Sequence, residues 1–161
     1  MTTEFAGPTD LESAQRSTAI VAAEEHTFDV FFYGLNMDVD LLSSKGVVPR
    51  DPRAALIENH VVILGAKAML RRSHGGRAYG MLFRLTHREM DALYADLHDY
   101  RPEPFTAIPL SASEDAKHVA AISMVHRDPP VDSSPEPAYS ARWTALIQRL
   151  GFPDTTSAET D

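Results

Sequence analysis

The chain contains several short stretches that are densely hydrophobic or that alternate between hydrophobic and polar positions. These stretches predict strands. The first runs from Phe28 to Tyr33 and is built from aromatic and β-branched residues, which favour a pleated, buried surface. Further strands are predicted at 55–66, 68–71, 77–85, 105–110 and 118–125, with a loop at 73–76. The stretch 77–85 is apolar on both faces, as a central strand requires.

A helical pattern occurs at three places between and after these strands. Asp38 is a suitable N-cap for a short helix over 39–44, and Gly46 is a suitable stop. Thr86 and Glu89 form a capping-box motif, followed by an apolar stripe at Met90, Leu93, Tyr94 and Leu97, so we expect that helix to end near 98–100. The third helix is predicted over 139–150.

The strands outnumber the helices and do not alternate with them regularly. This pattern predicts an α+β fold, with a mixed, largely antiparallel sheet or partial barrel and helices packed around it. We assign residues 28–153 to one domain, residues 1–27 to an N-terminal tail or loose helix, and residues 154–161 to a disordered tail.

Composition narrows the classes of function. The 161 residues suffice for one domain, and the absence of cysteine excludes disulfides, thiolate zinc sites and cysteine nucleophiles. A formal charge of −8 argues against general nucleic-acid binding. No apolar run approaches the roughly 18 residues of a membrane span, and the polar N-terminus does not resemble a signal peptide. We therefore expect a cytoplasmic protein with no nucleic-acid or membrane partner.

The chain Tyr33-Gly34-Leu35-Asn36 follows the first strand directly and precedes a helix. Gly34 can adopt positive φ, and a strand-turn-helix junction can point several backbone N–H groups at one spot, where carboxylates, phosphates or oxyanions bind. The alternative is a tight turn with a purely structural role.

Other candidate chemistry is sparser. Asp91, Asp96 and Asp99 form an acidic cluster towards the end of the second helix. We expect Asp91 and Asp99 to be solvated, whereas Asp96, next to Leu97, could face a pocket and transfer protons; an exposed acid at a helix end is the alternative. The seven histidines show no metal-ligand spacing, so we expect no metal site. Gly75-Gly76 lacks the Lys-Ser/Thr of a phosphate-binding loop and indicates a hairpin.

The order of these motifs resembles the gamma-glutamyl cyclotransferase-like family. The family pattern is Tyr-Gly-Ser-Asn-Met, then Gly-x-Val/Leu-(Tyr/Phe)-x-Leu-Thr before an acid-bearing helix. Here the first motif corresponds to Tyr33–Met37, the second to Gly80–Thr86, and the match extends over about 30–151. The resemblance implies a small mixed α/β barrel.

The resemblance also implies a reaction, in which the α-amine of a γ-glutamyl unit attacks its own γ-carbonyl. The products are 5-oxoproline and a free amine, and no metal or cofactor is needed. A glutamate acts as general base and then as acid, while the turn orients the substrate. The implied substrate-binding residues are Tyr33, Gly34, Leu35, Asn36 and, closing the pocket, Tyr139.

This sequence departs from the family pattern at two points. Leu35 replaces the usual serine of the turn. The usual Leu-x-x-Tyr-Glu-Gly corresponds to 93–98, where a gapless alignment puts Leu97 at the glutamate and a one-residue shift puts Asp96 there. We take Asp96 as the candidate general acid/base.

Three alternatives therefore stay open. The first is a cyclotransferase-type enzyme acting on a small γ-glutamyl-type amide through Asp96. The second is a non-catalytic relative that binds a small anionic metabolite or serves as an accessory protein-interaction domain. The third is an unrelated small barrel. The first two differ in whether Asp96 or Leu97 faces the pocket beside Tyr33 and Gly34. The oligomeric state is open, with a homodimer as one option.

Overall fold

The computed structural model describes residues 26–111, 118–126 and 134–153, and the strands within these ranges close into a barrel. The strands are β1 (Thr27–Phe32), β2 (Arg50–Leu64), β3 (Ala68–Thr86), β4 (Tyr100–Pro109) and β5 (Val119–His126). The helices are α1 (Val39–Ser44), α2 (His87–Tyr94) and α3 (Pro137–Leu150), with a 3-10 turn at Leu35–Met37. The predicted α+β class, a small mixed and largely antiparallel β-barrel with surrounding helices, is confirmed.

The strand order around the barrel is β1-β3-β2-β4-β5. Neighbouring strands are antiparallel except at the closure, where β5 returns to β1 in parallel through the pair Val30 and Ile122. Val30, Phe31, Leu82 and Phe83 are at most 1% exposed. Because neighbouring side chains on a strand point to opposite faces, both faces of β1 and β3 are buried here.

The predicted loop at 73–76 is wrong, because β2 and β3 form one long hairpin that turns at 65–67 instead. Residues 73–76 lie within β3, opposite an irregularity in β2 between Glu58 and His60. Asn59 there has φ 62°, and its side chain accepts a hydrogen bond from the amide of Gly75. Asn and Gly are typical of bulges as well as of turns. The Gly-Gly pair therefore marks an irregularity within the hairpin, whereas the sequence predicts a loop there.

The helix caps follow the sequence closely. The Asp38 side chain accepts from the amide of Asp40, and Thr86 and Glu89 form the predicted capping box. Helix α3 begins with Pro137, and Gly151 ends it with φ 80°. Trp143, Leu146 and Ile147 bury its apolar stripe against the barrel.

Helix α2 ends earlier than predicted, at Tyr94. Leu97 therefore does not continue the helical stripe. Its amide bonds to the carbonyl of Tyr94, and the amide of Tyr100 bonds to the carbonyl of Leu97, so two successive turns lead the chain into β4. The chain must reverse within a few residues to reach β4, and these turns replace the last helical turn.

Some predictions fall where the structure gives no description. The N-terminal tail or loose helix at 1–27 lies outside the described residues except for His26 and Thr27, and the tail at 154–161 lies wholly outside them. Among the described residues, none of the helices combines the length and the apolar character that crossing a bilayer requires.

Candidate functional site

The Tyr33–Asn36 turn is anchored to the barrel at its first residue. The Tyr33 hydroxyl donates to the carbonyl of Met124 on β5 at 2.7 Å, and the Tyr33 carbonyl accepts from the indole N–H of Trp143 on α3 at 2.9 Å. Both partners are more than 90 residues away in sequence. The turn is therefore held by the tertiary fold as well as by its own sequence.

Gly34 does not have the positive φ that the sequence led us to expect. Its φ is −105° and its ψ is −153°, an extended conformation that other residues also adopt. The reason for glycine is close contact: a Cβ at this position would lie 3.0 Å from the Tyr139 hydroxyl. The glycine is needed because the first turn of α3 approaches the turn so closely.

The backbone amides of the turn are largely occupied. Those of Met37 and Asp38 donate back to the carbonyls of Gly34 and Leu35, each at 3.1 Å. The Leu35 amide bonds to the Tyr139 hydroxyl. The turn thus offers fewer free N–H donors than its sequence suggested. Positive charge that could attract an anionic ligand must therefore come from side chains.

A pocket of about 410 Å³ opens beside the turn. All five predicted substrate-binding residues, Tyr33, Gly34, Leu35, Asn36 and Tyr139, line it. The fold therefore brings these five residues together around one cavity, and Tyr139 reaches it from α3. Apolar side chains form part of the wall, namely Phe31, Phe32, Leu41, Leu97 and Met124.

Three cationic side chains also line the pocket: Lys45, Lys67 and Arg142. The ammonium group of Lys45 donates to the Asn36 side-chain oxygen at 2.9 Å. Partial burial lowers the pKa of Lys45, and the positive charges of Lys67 and Arg142 lower it further. The mutual repulsion shows that the three charges share one region, although they come from distant segments of the chain.

Four tyrosines surround the same space: Tyr33, Tyr94, Tyr100 and Tyr139. Burial raises the pKa of Tyr94 and of Tyr139, so both hydroxyls keep their protons at neutral pH. Asn36 hydrogen-bonds to Tyr94, and the amides of Ala68 and Leu35 hydrogen-bond to Tyr139, each contact favouring the phenolate form. A phenol whose oxygen already accepts a hydrogen bond is well placed to donate its proton to a ligand.

Asp96 does not line this pocket, whereas Leu97 does. Asp96 is exposed and lies in an adjoining hollow of about 390 Å³, together with Asp99. Leu97, Tyr100 and Lys67 line both cavities and so lie between them. Among the described residues that line the pocket beside the turn, no carboxylate is present.

Sequence reasoning missed Lys67, Arg142, Tyr94 and Tyr100 as pocket residues. One signal was available for Tyr100: the Leu-x-x-Tyr half of the family pattern also matches Leu97–Tyr100, and both ends of this second match line the pocket. In that register the position of the glutamate is Arg101, which pairs with Glu103 at 2.7 Å. The cations carried no signal, since isolated basic residues are common on protein surfaces.

The described residues offer no obvious metal site. No group of three or more His, Asp or Glu side chains within the described ranges is arranged to hold a metal ion.

The closed mixed barrel, with its Tyr-Gly turn against the last helix, defines a gamma-glutamyl cyclotransferase-like fold. A solved structure of a gamma-glutamyl cyclotransferase matches with a TM-score of 0.65 and 14% identity, over 80% of this chain and 82% of that one. An uncharacterized protein from Homo sapiens matches with a TM-score of 0.63 and 16% identity, over 81% and 83%. An AIG2-like protein from Mus musculus matches with a TM-score of 0.53 and 12% identity, over 65% and 81%.

These likenesses concern the fold. No protein-family model matches the sequence, and no curated protein matches it.

Proposed function

We propose that this protein binds a small anionic metabolite in the pocket beside the Tyr33–Asn36 turn. The observation that carries the proposal is the charge of the pocket wall. Lys45, Lys67 and Arg142 line it, and no carboxylate does so among the described lining residues. Although the chain as a whole is acidic, this cavity concentrates positive charge, which favours an anion.

The neutral groups of the pocket suit the same ligand. A volume of about 410 Å³ falls in the range of small-molecule sites. The protonated hydroxyls of Tyr94 and Tyr139 supply hydrogen-bond donors, and Phe31, Leu97 and Met124 supply an apolar wall for a carbon skeleton. An anion with a short, uncharged body fits this combination of groups.

The pocket lacks the group that cyclotransfer would require. The γ-glutamyl reaction needs a base to take a proton from the substrate ammonium and return it to the leaving amine. Leu97 lines the pocket where a gapless alignment puts the family glutamate, and Arg101 occupies that position in the second register. Our proposal is therefore binding without cyclisation.

Calorimetric titration with glutarate and with inorganic phosphate tests this proposal. We expect at least one anion to bind, and we expect Lys67→Gln to weaken that binding about two- to fivefold, as an exposed ion pair of about 0.5–1 kcal/mol would. Arg149→Gln is the matched control, because Arg149 pairs with Asp38 at 3.2 Å and does not line the pocket. Absence of binding, or equal losses in both variants, would overturn the proposal.

A second candidate function is cyclotransfer of a γ-glutamyl-type amide with Asp96 as general acid/base. The fold favours it, and so does the position of Asp96 in a hollow that shares Leu97 and Tyr100 with the pocket. Release of 5-oxoproline from γ-glutamyl dipeptides, γ-glutamylamines or glutathione is the test. Turnover that is lost in Asp96→Asn would establish this alternative in place of simple binding.

A further inference from the structure

The pocket offers many hydrogen-bond donors to the carboxylate of an amino acid but few acceptors to its ammonium group. It is rich in groups that donate hydrogen bonds, through Lys67, Arg142 and the hydroxyls of Tyr94 and Tyr139. Several of its oxygen acceptors are already in use. The Asn36 side-chain oxygen accepts from Lys45.

Four backbone carbonyls of the pocket are occupied in the same way. Those of Tyr33 and Met124 accept from Trp143 and from the Tyr33 hydroxyl. The carbonyls of Gly34 and Leu35 accept from amides within the turn. A ligand that brings only donors would thus compete for acceptors that already have partners.

Three carboxylates on elements that border the pocket are also committed. Asp38 pairs with Arg149 and accepts from the amide of Asp40. Glu136 accepts from two amides at the start of α3, at 2.8 and 3.1 Å. Glu103, on β4, pairs with Arg101. None of these three carboxylates lines the pocket.

An ammonium group placed here would meet three positive charges and no carboxylate among the described lining residues, because Asp96 and Asp99 lie in the adjoining hollow, across Leu97 and Tyr100. Like charges brought together oppose binding, and they are a common source of selectivity. We infer that the pocket selects acids that lack an ammonium group, and that it discriminates against α-amino acids and γ-glutamyl compounds of the same size. This inference rests on the proposed binding function and specifies its ligand class.

Two pairs of ligands test the discrimination, and in each pair a hydroxyl replaces an ammonium on the same carbon skeleton. The first pair is L-2-hydroxyglutarate and L-glutamate, which carry two carboxylates each. The second pair is 3-phosphoglycerate and O-phospho-L-serine, which carry a phosphate and a carboxylate. We expect calorimetric titration at neutral pH to show the hydroxy acid binding about tenfold or more tightly than its amino counterpart in at least one pair.

Substitution of one cation tests whether positive charge causes the preference for hydroxy acids. In Lys67→Gln the preference for the hydroxy acid should shrink, because one of the repelling charges is gone, whereas Arg149→Gln should keep it. Equal or tighter binding of the amino compound in wild type would overturn the inference and leave the anion-binding proposal intact. Failure of all four compounds and of inorganic phosphate to bind would overturn both.

Discussion

The hydroxyl of Tyr139 lies 3.0 Å from the point that a Cβ on residue 34 would occupy. This single approach joins the first turn of α3 to the turn that follows β1, and both elements line the pocket. Helix α3 is held there by Trp143, whose indole bonds to the Tyr33 carbonyl. The geometry of the pocket therefore depends on contacts between two ends of the domain.

We predict that Gly34→Ala destabilises the fold by about 1–2 kcal/mol, because the added methyl crowds the Tyr139 hydroxyl. The backbone conformation itself permits alanine. In a Tyr139→Phe background the same change should cost about 1 kcal/mol less, since the crowded oxygen is absent. Urea denaturation of the four proteins measures this coupling, and purely additive effects would contradict the proposed contact.

Leu97 lines the pocket and its neighbour Asp96 does not, so charge changes at the two positions should affect binding differently. We expect Leu97→Glu to weaken anion binding about tenfold or more, because it puts a negative charge beside Lys67 in the pocket wall. Asp96→Asn should leave the affinity within about twofold. Calorimetric titration with the best-binding anion makes the comparison. A larger loss in Asp96→Asn than in Leu97→Glu would show that the pocket assignment is wrong.

Glu89 supports the junction between β3 and α2, and it gives a prediction about pH. Its carboxylate accepts from Arg50 at 2.9 Å and from the amides of Thr86 and Val48 at 2.9 and 3.0 Å. Burial alone would raise the pKa of Glu89, but these hydrogen bonds and the charge of Arg50 lower it from 4.5 to about 2. The folded state therefore favours the ionised carboxylate.

A carboxyl whose pKa is lowered by folding stabilises the protein above its unfolded pKa and loses that contribution as the pH falls. For Glu89 the loss should occur as the pH falls from about 5 towards 2. We predict that Glu89→Gln lowers the free energy of unfolding by about 1–3 kcal/mol at pH 7 and flattens this acid-side decline. Glu58→Gln, at an exposed site on β2, is the control, and an equal effect there would refute the assignment.

Local signals in the sequence predicted much of the fold. The capping box at Thr86 and Glu89, the N-cap at Asp38 and the glycine that ends α3 each act over a few residues, so their effects can be read directly. The single long hairpin of β2 and β3 could not be predicted from such local signals. Asn59 and Gly75 have backbone angles typical of a turn, and only the pairing of two long strands shows that they form an irregularity within the hairpin.

The pocket was predictable only in part. The turn residues and Tyr139 came from motifs, and the structure gathers them around one cavity. Lys67 lies in the turn of the β2–β3 hairpin and Arg142 lies on the last helix, so they meet only after the barrel has closed. The reason for Gly34 was likewise beyond the sequence, because the contact that requires glycine involves a residue 105 positions further along.

The most direct test of the account is to locate the bound anion by amide chemical shifts. In a titration of labelled protein with the best-binding anion, we predict that the largest shifts fall on Gly34 and Asn36 in the turn, on Ala68 in β3 and on Arg142 in α3. Largest shifts at Asn59, His60 and Arg72, which line a separate surface hollow, or the absence of any shifts, would contradict the proposed site.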